Sequence, residues 1–416
     1  MPSNNTTTTF DPALKQLYKG SNLAKTTYTR RPFLGLMPKD PGFVGRNMPI
    51  VNVFGNGAGG RSAAFATAQA NYSAVKMDDF LLTRVNDYQI ARVSGEVAEA
   101  SVGDAGAFLS AMKAAIDGAI NSLSDAIESF IPRSGTGSLG QCGSTATTTT
   151  TLKDINDVTH FEVDQLIVAS VADGGALRGG TGFVTLTGIN RVTGVLTAGS
   201  TWTTDITSYA ADDFLYVQGD AAAAGANVKI SGLAAWAPPT TVATSALFGV
   251  TRSQDSRLAG LVHPGDSQLI EEAIIDSQSK ASREGGKPDT VIINNGQYRR
   301  LLKELGSKKE YSEVKAQGAA GMIANVGYTG IKIHGDSGEM DVIAANKCQS
   351  TTAWVLEKAT WVLATIGEPA KFLMLDDNRM LRVSNDDAYE VRLGFRGNLG
   401  CKAPCYNVNC TLPAVT

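Results

Sequence analysis

The chain has 416 residues, too many for one hydrophobic core, so two or three domains are expected. A net charge of -3, with 19% charged and 7% aromatic residues, argues against a dedicated nucleic-acid binder, which is normally basic. No apolar run approaches the ~20 residues of a membrane span, the polar start MPSNNTTTTF does not read as a signal peptide, and five cysteines, mostly late, do not make a secreted disulfide framework.

Residues 1–48 read as an extended arm. Pro32, Pro38 and Pro41 oppose long regular structure, while Phe10, Leu14, Leu17, Phe33, Leu34 and Leu36 offer short apolar anchors. The arm is basic, with Lys15, Lys19, Lys25, Arg30, Arg31, Lys39 and Arg46 set against Asp11 and Asp40. That pattern suits a solvated leader, or an arm that docks on neighbouring subunits or faces a polyanion.

PIVNVFG at 49–55 reads as a strand. It leads into a Gly/Ala-rich excursion and then the long β-like run DDFLLTRVNDYQIARVSGEV. Strand, thin excursion and returning strand make an extended hairpin over 49–83 that needs neighbours for stability. Gly55, Gly57 and Gly60 satisfy G-x-G-x-x-G directly after a strand, and Asp78 and Asp79 lie where a ribose-binding acid belongs. A nucleotide-dependent enzyme is therefore one reading. Against it, no βαβ series follows, and Pro49 and Asn52 suit a buried central strand badly.

Asp104–Ile131 is the longest periodic element. Phe108, Met112, Ile116, Ile120, Leu123, Ile127 and Phe130 form one apolar stripe, Asp104 is placed to cap the start, and Pro132 stops the helix. Such a rod is about 40 Å long. With the preceding strand it makes a unit over 84–135, and a sheet is expected against its stripe.

RSGTGSLGQCGSTATTTTT after Pro132 reads as a linker. Residues 150–232 then form a separate β module of about 80 residues, a small barrel or sandwich. His160 and Asp164 have ligand chemistry, but no second His or Cys cluster joins them, and a surface histidine at a strand edge is the simpler reading. A connector with Pro238-Pro239 spans 233–265. An α+β unit over 266–365 holds a helix at Asp266–Glu284, the buried strand TVIIN, a turn at Asn295-Gly296 and a helix at Gln297–Leu305. Residues 366–416 return as strands in which Tyr389, Val391, Leu393 and Phe395 alternate with Glu390, Arg392, Gly394 and Arg396. Tyr406, Val408, Cys410 and Leu412 alternate as well. The fold class is α+β.

Basic arm, long hairpin, single rod, α+β unit and closing strands resemble, in this order, the major capsid protein of tailed double-stranded DNA bacteriophages, the Hong Kong 97 fold. KPDTVIINNGQYRRLLKEL is similar to that family's strand-turn-helix, and AYEVRLGFRGNLGCKAPCYNVNC to its closing strands. The resemblance implies an N-terminal arm (1–48), an E-loop (49–83), a P-domain with a spine helix (84–135), an inserted domain (150–232), a connector (233–265), an A-domain (266–365) and strands returning to the P-domain (366–416). It implies a structural protein of the virion, assembled in the bacterial cytoplasm, with no catalytic residues, cofactor, metal or membrane. Hexamers and pentamers would touch through arm and E-loop. A portal protein, a separate scaffolding protein, a decoration protein and non-specific packaged DNA are the expected partners. A non-viral compartment shell of the same fold is a further alternative.

Some members of that family join a lysine to an asparagine, so Lys76 and Asn398 come into view, but a loop lysine is ordinarily solvated. Cys401, Cys405 and Cys410 lack a fourth zinc ligand, and reduced, partly buried thiols are expected. Trp202, Trp236, Trp354 and Trp361 are read as core residues, lacking the interleaved basic pattern of a single-strand binder.

Overall fold

The computed structural model describes residues 31–57, 60–96, 105–179, 182–221, 228–239, 242, 244–305, 331–374 and 380–414, with the backbone alone along 105–114. Most of the basic arm, the Asp104 cap and the Phe108 and Met112 side chains therefore lie outside the described residues.

In chain order, a short helix α1 (Pro32–Leu36) precedes the hairpin strands β1 (Asn47–Gly55) and β2 (Lys76–Thr83), then β3 (Val85–Ser94) and the rod α2 (Ala105–Phe130). Six strands follow: β4 (Gly140–Thr145), β5 (Thr149–Leu152), β6 (Leu166–Ser170), β7 (Val184–Asn190), β8 (Val195–Ala198) and β9 (Phe214–Val217). The next unit holds β10 (Leu261–Pro264), α3 (Ile270–Arg283), β11 (Thr290–Ile293), α4 (Asn295–Glu304), β12 (Ile331–Gly335), β13 (Gly338–Ala344) and β14 (Thr352–Leu356). The chain closes with β15 (Trp361–Thr365), β16 (Ala388–Cys401) and β17 (Val408–Thr411).

The rod has a sheet against it, as its stripe requires. β16 runs antiparallel to β3, from Ala388 opposite Ser94 to Gly397 opposite Val85. Val93, opposite Tyr389 in that pair, packs against Tyr389 and against Ala115 and Ile116 of α2. Further along, Leu123, Ile127 and Phe130 are almost fully buried; each such side chain contributes about 1.5–3 kcal/mol by leaving water. β16 continues past β3 to pair with β15, and β15 takes Lys39–Asp40 as a parallel edge. One long closing strand thus binds the hairpin root, the rod and, through β15, Lys39–Asp40.

The α+β unit has its own core around a mixed sheet in the order β10-β17-β14-β11-β13-β12, with α3 and α4 packed on it. β10–β17 and β11–β13 are parallel and the other pairs antiparallel.

Five expectations change. The Gly/Ser/Thr stretch after Pro132 is not a linker: β4 and β5 belong to a closed barrel ordered β9-β4-β5-β8-β7-β6, which therefore starts near residue 140. Threonine is β-branched and suits strands. Inside the barrel, Cys142 and Thr150 are buried, and Thr150 shares a 2.8 Å hydrogen bond with the Tyr209 hydroxyl. The helix expected from Asp266 starts at Ile270, because Leu269 is extended and 57% exposed. Asn295-Gly296 is the first turn of α4 rather than a chain reversal; the Asn294 side chain accepts from Gly296 N at 2.8 Å and caps the helix. Alternation in β16 breaks at Glu390, which is buried because Arg92 and Arg392 both reach it. In β17, Val408, Asn409 and Cys410 are all buried, since the strand lies inside its sheet.

Candidate assembly interface

The β1–β2 hairpin has two unlike faces. Ile50, Phe80 and Leu82 point inward, where Phe80 meets Trp236 at 4.9 Å between ring centroids and Trp236 meets Trp361 at 6.5 Å. The other face carries exposed Val51, Val53 and Met77, and beyond the strands Phe65 and Tyr72 are 82% and 77% exposed. One face is fixed by the subunit's own core; the other is an apolar surface of the kind that marks a protein contact.

The arm reaches this body through α1. Both oxygens of Glu128 accept from the start of that helix, Phe33 N at 3.0 Å and Leu34 N at 2.7 Å. Arg31 pairs with Asp125 at 3.1 Å and donates to the Asn121 carbonyl. Burial pushes the Glu128 carboxyl up to about 7, against the pull of the two N–H donors.

A second polar knot joins barrel, rod and α+β unit. Arg133, just past the rod, donates to the Ser138 and Leu139 carbonyls and pairs with Asp157 at 2.8 Å. His160 packs into the same knot, its Nδ1 3.0 Å from the Leu139 carbonyl. Burial and the nearby guanidinium lower the imidazole to about 4. Burial also raises the cost of charge on Asp157, but Arg133 and His160 outweigh it and hold the carboxyl below its usual range. From the β13–β14 loop, Lys347 donates to the Thr159 carbonyl and Ser350 N to Asp154 at 3.2 Å. Desolvation lowers the Lys347 ammonium to about 8. Lys229 is buried between Asp87 at 3.0 Å and Asp220 at 2.8 Å, with its ammonium 5.4 Å from the Phe130 ring centre. The net effect of those carboxylates raises the lysine in spite of its burial.

These contacts correct several site expectations. Gly55, Gly57 and Gly60 do not open a βαβ unit; β1 returns antiparallel as β2, and Asp78 and Asp79 pair opposite Asn52 and Val51. Gly57 adopts φ +64, and a Cβ there would lie 2.5 Å from the Ser73 carbonyl, so the glycine serves the hairpin's own turn. His160 is not a surface histidine but a buried one, since the rod end and the 155–160 segment close over it. Asp164 stands apart at the barrel surface with φ 69. Lys76 is exposed, whereas Asn398 is wholly buried, so the two do not share a reactive geometry within the subunit.

The five cysteines are free and buried. Burial pushes the Cys401 thiol up to about 12 and those of Cys405 and Cys410 to about 11. All four tryptophans are core residues. Glu128, Lys229 and Lys347 were not singled out from the sequence. Glu128 alone left a signal, an acid next to Ile127 inside an apolar stripe.

Residues 211–377 match the family model described as SU10 major capsid protein. No curated protein matches in sequence. Among solved structures, the cyanophage A-1(L) capsid asymmetric unit is similar at 13% identity, covering 95% of each chain with a TM-score of 0.58. Two others lie further away. Mycobacterium phage Bobi has 9% identity, 99% and 100% coverage and a TM-score of 0.43. The capsid of Myoviridae phage XM1 has 10% identity, 96% and 97% coverage and a TM-score of 0.43. The fold assignment rests on the first.

The fold is that of a phage capsid subunit, α+β with an inserted closed barrel. The family match across the barrel's end and the α+β unit supports a phage capsid building block. Neither the nucleotide-dependent enzyme nor the non-viral compartment shell finds support.

Proposed function

We propose that this protein is the repeating subunit of a closed icosahedral head around a double-stranded DNA genome, arranged as hexamers and pentamers and without catalytic activity. The observation that carries the proposal is the two-faced hairpin: its inner residues sit in the core, while Val51, Val53, Met77, Phe65 and Tyr72 remain exposed. Burying that face on a neighbour removes it from water, and contacts between unlike surfaces close into rings by rotation.

In this reading residues 1–48 are the arm, 49–83 the E-loop, 84–135 the P-domain, 150–232 the insertion, 233–265 the connector, 266–365 the A-domain and 366–416 the returning strands. Arm and E-loop make the contacts with neighbouring subunits. Assembly takes place in the host cytoplasm on a separate scaffolding chain, one vertex takes a portal protein, and the barrel is available to a decoration protein. Packaged DNA meets the inner surface without sequence preference, consistent with a net charge of only -3.

The test is particle size. Purified protein is expected to give rings or shells in sedimentation and negative-stain images. The double variant Phe65→Ser/Tyr72→Ser should stay folded by circular dichroism but sediment as small species. A wild-type protein that remains monomeric under all assembly conditions overturns the proposal.

A further inference from the structure

The chain departs from a local rule at one turn beside the β1–β2 hairpin. Ala246–Leu247 pairs antiparallel with Val250–Thr251, which leaves Phe248 and Gly249 as a two-residue turn. Both have positive φ, 49 and 93. Turns of that hand favour Asn-Gly or Gly-Gly, because a Cβ is crowded in the left-handed region. The other described non-glycine residues with positive φ are Asp164, Ser208 and Asp212, all small and polar. A bulky aromatic side chain is strained in that position, and such strain persists only where the surroundings over-determine it.

Three contacts hold the turn from different sides. Buried Arg252 donates to the Ser245 carbonyl at 2.8 Å and to Ser245 Oγ at 3.1 Å, and its remaining nitrogen donates to the Ala235 carbonyl at 2.8 Å. All of these acceptors are neutral, so the guanidinium ties the base of the turn to Leu233–Trp236 instead of forming an ion pair. The Phe248 ring lies 5.8 Å from that of Trp236, which also meets Phe80 of β2. Finally, the Phe248 carbonyl accepts from Leu81 N at 3.0 Å. Leu81 stands opposite Pro49, and its amide goes outward to the turn instead of across to β1. The turn therefore grips β2 through a ring and through the backbone, at two successive residues.

We propose that the Phe248–Gly249 turn is a sprung latch that sets the position of the β1–β2 hairpin on the body. Its grip on β2 offsets the strain of the turn, so displacement of the hairpin and relaxation of Phe248 are one event. Phe248 is thereby a positioning residue for the exposed face of Val51, Val53 and Met77. This inference does not depend on the shell reading.

Hydrogen exchange of the dilute, unassembled full chain tests it, read by mass spectrometry of peptides. Gly249→Ala adds a Cβ that meets no atom within 4 Å, so it loads only the backbone of the turn. Peptides covering 76–83 are expected to exchange roughly 5–30 times faster in this variant, while barrel peptides covering 184–198 keep the wild-type rate. Arg252→Lys, which cannot hold Ser245 and Ala235 together, should give the same local gain. Gly219→Ala loads a barrel turn in the same way, at φ 89 and again in open space, and should leave 76–83 unchanged. Wild-type exchange over 76–83 in both Gly249→Ala and Arg252→Lys overturns the proposal. Equal acceleration of 184–198 in Gly249→Ala overturns it too, because the chain would then be loosened throughout.

Discussion

The Asn398 side-chain amide donates to the Thr83 carbonyl at 2.7 Å, while its oxygen accepts from Ser231 N at 2.9 Å. One fully buried side chain thereby joins the hairpin root, the chain leaving the barrel and the closing strand. Asn398→Ala leaves the Thr83 carbonyl and the Ser231 amide short of a partner, each costing about 1–3 kcal/mol when buried. The expected result is a clear fall in urea midpoint with an unchanged slope. A midpoint equal to wild type removes Asn398 from this role.

Lys229 holds Asp87 and Asp220 from a buried position. Lys229→Met keeps the stem but leaves two facing carboxylates, and breaking a buried pair costs about 3–5 kcal/mol. Asp220 is partly exposed, so the lower end is expected. Adding Asp87→Asn to Lys229→Met should recover part of the loss in thermal melting. Strict additivity of the two changes would show that the contact contributes nothing.

His160 and Glu128 give opposite pH dependence. His160 is lowered to about 4, so the folded state binds fewer protons than the unfolded one; its contribution is complete above about 6.5 and is lost as pH falls through 4. Glu128 is raised to about 7, so its contribution is complete below 4.5 and is lost as pH rises through 7. Each is worth about 3 kcal/mol at the extremes. Glu128→Gln should therefore gain stability relative to wild type between pH 5 and about 8, read by denaturant titration. Parallel profiles for the two proteins refute the assignment.

Gly400 lies under the hairpin root. A Cβ there would come within 2.4 Å of the Ile50 Cδ1 atom. Gly400→Ala is expected to cost about 1–3 kcal/mol through overpacking. Ile50→Val in the same chain should return most of it, since the colliding methyl is gone. Absence of rescue in the melting temperature would place the strain elsewhere.

The rod was legible because apolar residues spaced by three and four over many turns fit one face of a helix and no strand. The hairpin was legible because β1 and β2 flank a stretch too poor in apolar groups to fold alone. The barrel's start was hidden because its first strands are made of Gly, Ser and Thr, whose pairing partners lie as far off as Phe214 and Leu215. His160 was misplaced for a related reason. Its burial comes from Arg133 and Leu139, more than 20 residues earlier, as the 27- and 21-residue separations of those contacts show. Lys229 and Lys347 look like surface lysines in any local window; only the packed fold brings their carboxylates and carbonyls to them.

The pairing of β3 with β16 has a consequence during synthesis. Arg92 and Glu390, in contact across that pair, are separated by 298 residues. At roughly 5–20 residues per second, the ribosome takes about 15–60 s to supply the partner strand. For that interval the nascent chain carries Val93 and Ile116 without their closing strand, while the barrel, whose strands all lie between Gly140 and Val217, already has its pairing partners. That interval is when the apolar surface of the rod is most open to contacts with other chains.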